Sequence, residues 1–149
     1  MTIKQLTWRL ILPLTIVSFG TFTKWWYVLP VDAPDTMMIG FPLAFASDGW
    51  HTSMSLQIFV LEFVFDFLIY FLFWLLCIFL IDKYLRRIKI PQILTGLLWT
   101  LSTIIFAVAV FIASFPEQIF EIKRDWDRQV MVTGFKLTWK LWSQHAGYG

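Results

Sequence analysis

Asparagine is absent from this 149-residue chain, so no N-glycosylation acceptor exists in it. A single cysteine, Cys77, excludes an intramolecular disulfide and any CxxC pair for metal or redox chemistry. Its position inside a long apolar run suits a thiol that packs as a small hydrophobe. Histidine is nearly absent too: His51 and His145 are too dispersed to suggest a bis-His haem site. Charge is scarce, with Asp, Glu, Lys and Arg at 15% of residues, where a soluble domain has about 25%. The net charge is +2, and no basic surface interleaved with aromatics is evident, which argues against nucleic-acid binding. No glycine-rich phosphate loop occurs, and no serine sits in a nucleophile elbow. Ser47, Asp48 and His51 form too common a grouping to be read as a triad. No cofactor and no metal site is expected, and the balance leans away from an enzyme.

What is present is apolar. Hydrophobic residues make up 58% of the chain and aromatics 19%, and the mean hydropathy is +0.69. These residues come in blocks, which points to membrane spans rather than an oily soluble core. The spacing predicts an all-α membrane protein with three transmembrane helices, at about 10–28, 55–81 and 93–115, forming a bundle over residues 1–116. Lys4 and Arg9 before an apolar stretch resemble a signal peptide. The segment Lys24-Trp25-Trp26-Tyr27 instead looks like an interfacial anchor, so the expectation is a retained first helix. Pro91 and Pro116 bracket the third span.

The connection 82–91 holds Lys83, Arg86, Arg87 and Lys89, whereas 30–54 holds no Lys or Arg. The positive-inside rule then puts the N-terminus in the cytoplasm and the C-terminus outside, in a bacterial inner membrane. Lys123, Arg124 and Arg128 in the tail oppose that assignment. The apolar loop 40–53 would be extracytoplasmic. Residues 117–149 read as an amphipathic tail, with a short helix near the membrane surface over 117–128. Beyond it the alternation in 135–141 suits a β-hairpin turning at Thr133-Gly134, and an interfacial helix is nearly as good a fit.

The best polar constellation is Gln57, Glu62, Asp66 and Tyr70. The last three follow at four-residue intervals, which places them on one face of a helix. Acids inside a membrane usually face protein or a water-filled cavity. Such a row could relay protons, bind a cation or hold a polar headgroup. The favoured expectation is plainer: the acids pair with Lys24, Lys123 or Arg124 at the outer interface. His51 could join them, but eleven residues of helix span ~16 Å, so a structural histidine is favoured. On the third span, Gly96, Thr100, Thr103 and Ala107 form a small-residue stripe at spacings of four, three and four. Such stripes let another helix approach closely, within the chain's own bundle or in a partner subunit.

Taken together, these features predict a small accessory or assembly subunit of a larger membrane complex. Its expected partners are the lipid bilayer and other membrane proteins or a second copy. Two alternatives remain open at this point. One is a proton- or cation-coupled transporter or channel component using Glu62 and Asp66, and the other is a membrane enzyme for a lipid or quinone.

Overall fold

The computed structural model describes residues 2–31, 35–49, 55–85 and 88–137 of the chain. It is mixed α/β: long apolar helices are combined with a six-stranded sheet, so the all-α expectation is overturned. Helices α1 (Ile3–Leu6) and α2 (Leu12–Thr21) are joined by a π-helical turn, Thr7–Ile11. Strands β1 (Phe22–Pro30), β2 (Thr36–Ile39), β3 (Ala46–Asp48) and β4 (Leu56–Phe59) follow. Then come α3 (Val60–Leu80), α4 (Gln92–Ala113), β5 (Ile119–Glu121) and β6 (Arg128–Leu137).

Several expected elements are therefore divided. The first span, 10–28, is helix only to Thr21 and strand from Phe22. Aromatic and β-branched residues in Phe22–Val28 favour a pleated surface, and Pro30 sits where a strand tolerates it, at the end. The run 55–81 begins as β4 before α3 takes over. In the tail, β5 and irregular chain replace the surface helix. Thr133 and Gly134 lie inside β6 and not at a turn. Gly134 pairs with Trp25 of β1, and a Cβ there would come 2.7 Å from the indole Nε1. The glycine serves the close approach of that ring. Residues 138–149, the rest of the expected hairpin, lie outside the described residues.

The chain divides into two compact units. The first comprises residues 1–20 and 67–112. Thr2 and Gln5 form a reciprocal capping box that opens α1. The π-helical turn lies just before Pro13, whose ring would crowd the carbonyl one turn back and which has no N–H to offer it. Leu6, Ile11 and Ile78 are buried together, with Leu10, Phe71 and Trp74 packed against them. Hydrogen bonds tie the helices: Trp74 Nε1 donates to Ser18 Oγ at 2.8 Å, and Ser102 Oγ to the Pro13 carbonyl at 3.1 Å.

Two helical stretches, Val60–Leu85 and Gln92–Ala113, are long and apolar enough to cross a membrane. Only 11% and 6% of their most apolar windows are buried within the chain, the reverse of a soluble core helix.

The glycines of this unit differ in what surrounds them. A Cβ on Gly20 would overlap Ile105 Cγ2, on a stiff β-branched side chain, whereas one on Gly96 would meet nothing within 4 Å. Gly20→Ala is expected to lower stability by ~1–3 kcal/mol. Gly96→Ala should be neutral or stabilising by up to ~1 kcal/mol. Detergent-unfolding titrations of the two variants would check this, and the reverse ranking would refute it.

The second unit, residues 21–66 and 113–149, holds the sheet, in the order β5-β4-β3-β2-β1-β6. Strands β1 to β4 are an antiparallel meander, β6 is antiparallel to β1, and β5 is parallel to β4. Val28, Met38, Ala44 and Phe59 are fully buried as its core, with Trp26 and Trp126 packed on them.

Candidate functional site

The first turns of α3 belong to the sheet-bearing unit and carry both acids. Glu62 is 8% exposed and Asp66 fully buried. Asp66 is engaged with the loop after β2. Its Oδ1 accepts the N–H of Leu43 at 2.9 Å, and the backbone N–H of Phe41 also bonds the carboxylate. The loop is held at further points: Gly40 N–H donates to the Lys24 carbonyl, and the Gly40 carbonyl accepts from Trp26 Nε1, each at 2.9 Å. Phe45 packs edge-on against Phe63 at 5.3 Å. The apolar loop expected from the sequence thus lies against the head of α3. One oxygen of each acid, Glu62 Oε2 and Asp66 Oδ2, is buried without a hydrogen-bond partner.

Gln57 sits in β4 and donates to Glu121 Oε1 of β5 at 2.6 Å, with Ser47 Oγ 3.4 Å from its own oxygen. Its role is to join three strands. Tyr70 belongs to the helical unit, where its ring meets Phe19 edge-on at 5.4 Å. His51 lies outside the described residues. Of the small-residue stripe, Thr100 and Thr103 return their hydroxyls to the carbonyls of Gly96 and Trp99, at 2.9 and 2.8 Å. Thr100, Thr103 and Ala107, with Trp99 and Ile104, line an open groove of about 430 Å³.

The sequence reading passed over a cluster near Glu62. Arg128 opens β6 and donates Nη1 to Met38 Sδ at 2.8 Å, with its guanidinium 5.3 Å from the Trp26 ring. A thioether is a weak acceptor, so this cation is poorly satisfied. Burial pulls its pKa down to about 10, Arg124 pushes in the same direction, and Glu62 opposes them. Arg124 lies 5.8 Å from the ring of Trp126, which packs on Phe59 at 6.3 Å. Arg124 Nε and Trp126 Nε1 are buried donors with no acceptor. The pattern Arg-x-Trp-x-Arg from 124 to 128 was the available signal, but only the sheet brings it to Met38 and Phe59. Lys24, expected to pair with the acids, instead has Nζ 3.9 Å from the ring centroid of Trp26.

Among the described residues no group of three or more His, Cys, Asp or Glu could hold a metal ion. Comparison with known proteins finds no matching family model and no significantly similar curated protein or solved structure.

Proposed function

We propose that this chain is an integral membrane protein that works by contact, as an accessory or assembly subunit of a larger complex in a bacterial inner membrane. The basic connection 82–91 faces the cytoplasm, and the tail after α4 lies outside. The pairing of β4, which leads into α3, with β5, which follows α4, supports a path that crosses and returns.

The observation that carries the reading is the free edge of β6. Among the described residues no strand flanks β6 on the side away from β1. Val130, Met131, Val132 and Phe135 are each 44–55% exposed there. No charge or proline interrupts residues 129–135. Proteins normally guard such an edge with lysine, proline or a covering element, because it templates pairing with another chain. An unguarded one suits a surface that is covered in use.

A photo-crosslinking residue placed at Met131 in the native membrane is expected to give one discrete protein adduct. Val132→Glu should abolish that adduct while the chain stays folded. Labelling of lipid alone, as expected from the exposed Leu72, would contradict the reading. The orphaned oxygens of Glu62 and Asp66 favour a second reading, a proton- or cation-coupled component, which Asp66→Asn separates from the first.

A further inference from the structure

The unsatisfied groups around Glu62 have opposite characters. Arg124 Nε and Trp126 Nε1 are buried donors without acceptors, and Arg128 Nη1 has only a sulfur. Glu62 Oε2 is a buried acceptor without a donor, on a side chain more than nine-tenths buried. Buried polar groups are nearly always satisfied, so each of these orphans marks a missing partner. All four residues lie in the sheet-bearing unit, and Arg124, Trp126 and Arg128 retain partial exposure, which leaves a way in. A simple anion would satisfy the donors and leave Glu62 short. A simple cation would do the opposite. A ligand carrying both signs a few ångströms apart answers both needs.

We propose that Arg124, Trp126 and Arg128 bind the phosphate of a phosphoethanolamine group while Glu62 takes its ammonium. In a chain with two membrane-competent helices, the source of that group is the headgroup of phosphatidylethanolamine. Arginine and indole N–H groups form charge-assisted bonds to phosphate oxygens, and a carboxylate accepts from an ammonium with similar strength. The site is independent of the β6 contact and rests on the membrane reading only for the source of the headgroup.

The test uses the full chain purified in detergent and exposed to short-chain phosphatidylethanolamine, short-chain phosphatidylglycerol and free phosphoethanolamine, with bound species counted by native mass spectrometry. The wild type is expected to retain phosphatidylethanolamine over phosphatidylglycerol. Arg124→Gln should weaken retention of both lipids by about tenfold, the loss of one charge-assisted bond. Glu62→Gln should weaken phosphatidylethanolamine alone and erase the preference. Competition by free phosphoethanolamine at equal affinity would support the site and assign it to the soluble ester. Equal retention of both lipids by the wild type, or no binding of any of the three, would overturn the proposal even if a variant failed to fold.

Discussion

Gly40→Ala is expected to destabilise the sheet-bearing unit by roughly 3–5 kcal/mol, a large part of the ~5–15 kcal/mol that holds a typical domain folded. Two costs combine. Gly40 has φ +143°, a backbone conformation that residues with a side chain rarely adopt. A Cβ at this position would also collide with the Leu43 carbonyl oxygen and come 2.7 Å from Phe45 N. Both obstacles are backbone, so no rotamer change relieves them. Nor can Gly40 shift, because its N–H is committed to Lys24 and its carbonyl to Trp26. The check is the midpoint of the tryptophan fluorescence change in a denaturant titration of the chain in micelles. A loss below ~1 kcal/mol would show that the loop relaxes around a side chain, contrary to the geometry described.

This glycine shows where the sequence stops being legible. Gly40 reads as punctuation in a loop, yet its importance comes from contacts with β1 that local spacing does not reveal. The helices were readable because an apolar stretch long enough to cross a bilayer is a local property. Residues 55–81 and 93–115 overlap α3 and α4 closely. The sheet was hidden by the same apolarity: Phe22–Pro30 continues the hydrophobic run of α2 without a break, and β2, β3 and β4 have three or four residues each, too few to show a two-residue period. The pairing of β1 with β6 joins segments about a hundred residues apart, and no periodicity encodes it. The acid row was visible because its four-residue interval is helical and local. Arg124, Trp126 and Arg128 were not, because their approach to Glu62 and Met38 depends on the long-range pairing of β6.

Asp66 is where the contact reading and the relay reading part. Its Oδ1 accepts the Leu43 N–H, and the Phe41 N–H bonds the same carboxylate, all within a fully buried setting. Asp66→Leu leaves those two donors buried without an acceptor, at ~1–3 kcal/mol each, and should unfold or strongly destabilise the sheet-bearing unit. Asp66→Asn keeps the shape and one acceptor oxygen, so its expected cost is only ~1–2 kcal/mol. Unfolding midpoints of the two variants give the ranking, and equal losses would mean that the loop does not depend on this acceptor. The same Asn variant then tests function directly, because an amide cannot carry a proton or hold a cation as a carboxylate does. A contact subunit with Asn at this position should still form its discrete adduct through β6 and support the host cell as the wild type does. A folded Asn variant that assembles but has lost its cellular role would replace contact with proton or cation coupling, and would make the orphaned Oδ2 the working atom of the protein.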